Sequence, residues 1–135
     1  MSREEEGNLA KVKRAYVALE RGMDVQDFLV DFSDDCELHE APSLPYGGMW
    51  RGKEGIARGV GTVFGTFDDF QFQVLGFLAG GDHVAAHLML SGTGRKTGKH
   101  FSMPLLELWR FRDGKVVELR LFYFDSGRVA DCFGS

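Results

Sequence analysis

Cysteine, positive charge and long apolar runs are all in short supply here, and each shortage excludes something. Two cysteines, Cys36 and Cys132, stand far apart in 135 residues, without the close pairing of a zinc site. Two free thiols in a reducing cytoplasm are expected, since a disulfide would need the two to approach closely. Sixteen basic residues against twenty acidic ones give a net charge of -4, which argues against a nucleic-acid partner. The one basic cluster, Arg95, Lys96, Lys99 and His100, lies in a Gly/Thr-rich segment and reads as a solvated hairpin end. No apolar run reaches transmembrane length, and the start, MSREEEGN, is too acidic and polar for a signal peptide. Neither a membrane nor an export role is expected.

What is present is a core. Apolar residues make up 44% of the chain and include twelve phenylalanines, enough for a globular domain over residues 1–135. Leu9, Val12, Tyr16, Leu19 and Met23 recur at helical spacing and predict a first helix from about Glu4 to Arg21. Gly22 is its expected stop, and Asp24 the N-cap of a short second helix carrying Phe28, Leu29 and Phe32. A buried Tyr16 must find a partner for its hydroxyl or reach a cavity.

A short strand is expected from Cys36 to Ala41, with Cys36, Leu38 and Glu40 on one face and Glu37, His39 and Ala41 on the other. The loop after it, PSLPYGGMWRG, brings Tyr46 and Trp50 to a potential pocket mouth. A third helix is expected from about Lys53 to Phe64 despite Gly55, Gly59 and Gly61, so tertiary packing must hold it. Its Gly52-Lys53 lacks the spacing of a phosphate loop.

From Phe67 the period becomes two. Phe70, Phe72, Val74, Gly76 and Leu78 are expected to share one face; Val84, Ala86, Leu88 and Leu90 continue after a Gly80-Gly81-Asp82 turn. The strand from Phe101 to Phe111 puts Phe101, Met103, Leu105, Glu107, Trp109 and Phe111 on one face. Glu107 is the single ionisable residue of that row, so it either shifts its pKa upward or finds a partner. Asp113-Gly114 turns the chain into a last strand with Val117, Leu119, Leu121 and Tyr123 facing one way. A short helical tail follows, from Ser126 to Phe133. Helices followed by hairpin-linked strands predict an α+β fold, with helices on one face of a bent antiparallel sheet. The second sheet face, with His87, Met89, Leu106, Leu108, Phe122 and Phe124, is apolar enough to suggest a partner, most simply a second copy.

Three segments carry a family resemblance: AYVALERGMDVQDFLVDFSDDCELHE, LPYGGMWRGKEGI and LELWRFRDGKVVELRLFYFD. In them the chain resembles the SnoaL-like and ketosteroid-isomerase-like branch of the NTF2-like superfamily. The resemblance implies an NTF2-like (cystatin-like) cone, three N-terminal helices packed on a strongly curved antiparallel sheet enclosing a pocket. It also implies a homodimer through the outer sheet face. The ligand implied is a small hydrophobic carbonyl compound, with no cofactor and no metal. The family's helix tyrosine, strand base and oxyanion acid match Tyr16, Glu40 and Glu107, both acids being Glu where ketosteroid isomerases have Asp. Glu40 would abstract a proton next to a carbonyl while Tyr16 and a neutral Glu107 donate to the enolate oxygen.

SnoaL-like cyclases instead use a pocket acid or base, commonly Asp with His support, for which His39 and Asp125 are candidates. Tyr46, Trp50, Phe72 and Leu88 are expected to line the pocket, with Leu105, Trp109, Leu121 and Tyr123. An Asp-Arg-Asp cluster of the limonene-type epoxide hydrolases is disfavoured, since Leu121 stands at the matching inward place. His83 and His87 are too far apart along a strand to share an ion. A non-catalytic ligand-binding or dimerisation module is the alternative to an isomerase or cyclase.

Overall fold

A computed structural model of the chain describes residues 1–20 and 25–134. The expected stop at Gly22, the cap at Asp24 and the stripe residue Met23 lie outside the described residues. Helix α1 runs Arg3–Glu20 and buries Asn8, Val12, Ala15 and Tyr16. Helix α2 is one turn, Val25–Phe28. The next element is a strand, β1, Phe32–Glu40, so Phe32 opens the sheet instead of closing the helix.

β2, Gly48–Arg51, is a strand within the segment expected to be a loop. Helix α3 spans Gly52–Thr66. Strands β3 (Phe67–Gly80), β4 (His83–Gly94), β5 (His100–Arg112) and β6 (Lys115–Tyr123) follow, then helix α4, Ser126–Asp131. The order across the curved sheet is β2-β1-β6-β5-β4-β3. The fold is α+β and NTF2-like, with α1, α2 and α3 against one face, although β1 and β2 separate α2 from α3.

The sheet is not wholly antiparallel, because β1 runs parallel to β6, with Leu38 opposite Leu119 and His39 opposite Arg120. That pairing is what seats the end of β1 in the cavity. β1 then turns back into β2, placing Trp50 opposite Leu38.

The expected single row on β3 breaks. The register against β4 shifts between Val74 and Gly76, so Phe77 opposes the buried Ala86 while Leu78 opposes Ala85. An extra residue in one strand flips every later side chain to the other face. Leu78 is consequently 77% exposed, while Phe77 points inward, its ring 6.0 Å from that of Tyr16. On β5 the alternation is regular, and Phe101, Met103, Leu105, Trp109 and Phe111 are all buried. The fused aromatic floor includes Trp109 edge-on to Tyr16, Phe28 and Phe32 at 5.6–5.8 Å.

The glycines of α3 have different reasons. A methyl group at Gly59 would lie 2.9 Å from the Trp50 ring, whereas one at Gly61 would meet nothing. Gly59 therefore lets α3 settle onto β2. Gly94 does the same for the tail, since a Cβ there would sit 1.9 Å from the Cys132 carbonyl oxygen.

Candidate active site

Between the helices and the concave face of the sheet lies a narrow cavity. Its empty space is about 640 Å³ with the mouth included. Among the described residues the polar lining consists of Tyr16, Glu40, Glu107 and Tyr123; the rest of it is aliphatic or aromatic, including Phe28, Phe64, Phe70 and Phe72.

The two acids arrive from opposite sides of one residue. Glu107 on β5 is opposite Leu121 on β6. His39 on β1 is opposite Arg120, so the next residue, Glu40, stands level with Leu121 from the other side. Neighbouring strands are about 4.8 Å apart, which sets the two backbones at roughly 9.6 Å, and a concave face brings inward side chains closer. Leu121 fills the place between them.

Each acid is held by a tyrosine. The Tyr16 hydroxyl donates to Glu107 Oε1, and Trp109 Nε1 donates to the Tyr16 oxygen at 3.0 Å. On the other side Tyr123 donates to Glu40 Oε1 at 2.8 Å. The Tyr46 and Tyr123 hydroxyls are 3.1 Å apart, and Trp50 Nε1 fixes Tyr46 by donating to its carbonyl at 3.0 Å. Among the described residues no hydrogen bond reaches Oε2 of either glutamate. Neither Oε2 is sealed off, since Asn8 Nδ2 is the buried side-chain atom left without a partner among the described residues.

Burial decides the protonation. It pushes the Glu40 carboxyl from 4.5 up to about 8 against the hydrogen bond from Tyr123, with the charge of Glu107 adding to the rise. Burial raises Glu107 to about 7 against the hydrogen bond from Tyr16. Glu107 is half-buried and lines the cavity, where the apolar surroundings disfavour a charged carboxylate. Burial also lifts the Tyr16 and Tyr123 hydroxyls well above the ordinary phenol range, keeping both as donors.

Phe72, Leu88, Leu105, Leu121 and Tyr123 line the cavity together with Tyr16, Glu40 and Glu107. Five expected lining residues do not. Tyr46 and Trp109 are buried behind the wall and reach it through Tyr123 and Tyr16. Trp50 is wedged under α3 at Gly59. Asp125 is exposed and caps α4, accepting from the Arg128 amide at 3.1 Å.

His39 keeps the regular parity of β1 and lies on the outer face, 3.0 Å from Glu37. There Glu37, His39 and Glu118 come within 4.8 Å of one another, an arrangement that could ligate a metal. Arg51 at 3.0 Å from Glu37, and Arg120 and Arg110 at 3.3 and 3.5 Å from Glu118, already neutralise both carboxylates. The Tyr46–Tyr123–Glu40 relay is the feature that sequence reasoning missed. The inward parity of Tyr123 was its signal, but the loop position of Tyr46 gave none.

Similar proteins share this architecture. An NTF2-like protein from Burkholderia thailandensis is 29% identical, with 95% of this chain and 98% of that one covered and a TM-score of 0.87. A putative SnoaL-like polyketide cyclase from Jannaschia is 17% identical over 100% of this chain and 97% of its own, at a TM-score of 0.84. A protein of ketosteroid isomerase-like fold from Catenulispora acidiphila is 18% identical, with 90% and 91% covered and a TM-score of 0.73. No curated protein matches the sequence. The profile of the SnoaL-like domain matches residues 12–119, and the chain belongs to that family.

Proposed function

We propose that the cavity binds a small, largely apolar carbonyl compound and moves a proton next to its carbonyl, as an isomerase or cyclase needing no cofactor. The observation that carries this reading is the pair of glutamates flanking Leu121, each lining the cavity, each backed by a tyrosine and each with an Oε2 that no hydrogen bond reaches among the described residues. Glu40 Oε2 takes the proton from carbon. A neutral Glu107, its Oε1 accepting from Tyr16, donates from Oε2 to the developing enolate oxygen. Tyr16 therefore acts through Glu107, with Trp109 behind it, and such chains of donors polarise one another. With carboxyls near 8 and 7, the pair keeps at least one proton at neutral pH. A carbonyl oxygen at Glu107 draws that proton there and frees Glu40 as base.

The test is deuterium uptake from D₂O next to the carbonyl of cyclic ketones and 1,3-diketones, followed by NMR. Acceleration by the protein is expected, and Glu40→Gln should lose about 10²-fold or more of it. Exchange by Glu40→Gln at the wild-type rate would sink the assignment.

A second reading, a non-catalytic ligand-binding domain, is favoured by the Glu40 carboxyl at about 8, which keeps most of the base protonated at pH 7. Binding without any exchange across the panel would select it. The outer sheet face, with Leu78, Leu106, Phe122 and Phe124 exposed, is read as the seat of a second copy. Two buried free cysteines suit a reducing cytoplasm.

A further inference from the structure

The proton-transfer reading leaves the sign of the cavity's charge unused. Among the described residues no Lys, Arg or His lines the cavity, and the ionisable groups there besides the two tyrosines are Glu40 and Glu107. Glu40 is 6% exposed and lines the cavity, and its Oε2 has no hydrogen-bond partner among the described residues. The Oε2 of Glu107 is in the same position. Two carboxyls with a free oxygen each, and no cation beside them among the described residues, form a site suited to a positive partner.

We infer that this cavity binds a hydrophobic amine as its ammonium ion, held between Glu40 and Glu107 with its apolar body among Phe64, Phe70 and Phe72. Register supports the placement. The two acids stand level on either side of Leu121, two strand spacings apart. An ammonium bridging two carboxylates by charge-assisted bonds of about 2.8 Å needs oxygens roughly 4.5–5.5 Å apart. Side chains that lean inward on a concave sheet close part of the distance between the two backbones, and an ammonium seated over Leu121 would bridge what remains. An anion of the same shape finds no counter-charge and meets two acids, while a neutral hydroxyl gains only ordinary hydrogen bonds.

The inference has a proton signature. Glu40 faces Tyr123, Tyr46 behind it, and Glu107; Glu107 faces Tyr16, Trp109 and Glu40. α3, β3 and β4 present only aliphatic and phenyl side chains to the cavity. Among the described residues, the groups that can release protons when an ammonium enters are the two glutamates. Affinity rises with pH until the amine itself deprotonates, near pH 10 for an alkylamine by analogy with lysine.

This inference rests on the cavity being a ligand site, as the proton-transfer reading does, but not on catalysis. The experiment is calorimetric titration of the protein with 2-phenylethylamine, 2-phenylethanol and phenylacetate, which share a ring and differ in charge. It is run at pH 8 in two buffers of different ionisation enthalpy. The amine should bind about tenfold or more tighter than the alcohol, with protons released, and phenylacetate weakest. Glu40→Gln and Glu107→Gln, neutral isosteres checked for folding by circular dichroism, should each lower the amine-to-alcohol ratio. An alcohol or acid that binds as tightly as the amine overturns the inference, as does amine binding without proton release or failure of all three to bind. Amine preference without deuterium exchange sinks the catalytic reading alone; exchange without amine preference sinks this one alone.

Discussion

At the scale of single residues, the two cavity acids set how stability responds to pH. The unfolded chain releases their protons near 4.5, whereas the folded protein holds them to about 8 and 7. Between these limits the native state binds more protons, so stability falls as pH rises, and the loss is complete above about pH 8. The total is on the order of a few kcal/mol. The double variant Glu40→Gln, Glu107→Gln should flatten the decline in melting temperature between pH 5 and pH 9, and should be more stable than wild type at pH 9. An unchanged slope would mean that the acids ionise normally. The oddity of Glu107 was legible in the sequence because its neighbours on β5 alternate strictly. Its partner Tyr16 was legible from the helical stripe. The companion relay was not, because Tyr46 reaches Tyr123 from a loop, and loop positions carry no periodicity to read.

At the scale of elements, helix α3 offers a paired comparison. Gly59→Ala drives a methyl group to 2.9 Å from the Trp50 ring. That ring is tied through Nε1 to the Tyr46 carbonyl and has little room to retreat. Overpacking of this kind costs about 1–3 kcal/mol. Gly61→Ala meets open space and should gain up to about 1 kcal/mol from helix propensity. Urea unfolding of the two variants should show shifts of opposite sign; equal shifts would deny that Trp50 sets the seat of α3. The sequence reading of this helix was sound because its apolar side is clear. It failed on β2, four residues paired at a sheet edge and opened by glycines, too short to show alternation. It failed again on β3, where Gly76 inside a strand was the available sign of an irregular register.

At the scale of the whole molecule, the helices cover one sheet face and leave the other bare of them. Phe124 is 80% exposed, Phe122 51% and Leu106 46%, grouped with Leu78 around a shallow depression. Single exposed apolar residues are ordinary, but a contiguous group of this kind marks a contact surface. If a second copy covers it, Phe122→Asp should shift the mass measured by light scattering from dimer to monomer at micromolar concentration. A wild-type protein that is monomeric at those concentrations would reject the assembly. Sequence alternation identified this face correctly in outline, yet it omitted Leu78, which the β3 irregularity turned outward.

That irregularity has a consequence for how relatives of this chain are to be compared. The shift between Val74 and Gly76 amounts to one residue of length, which an alignment would treat as a trivial gap. Its placement nevertheless decides what is compared. Set without that gap against a relative lacking the extra residue, what this chain hides would be matched with what the relative shows to water, from Phe77 to the end of the strand. With the gap at Leu75 the two faces fall back into step, because the pairing with β4 resumes at Gly76.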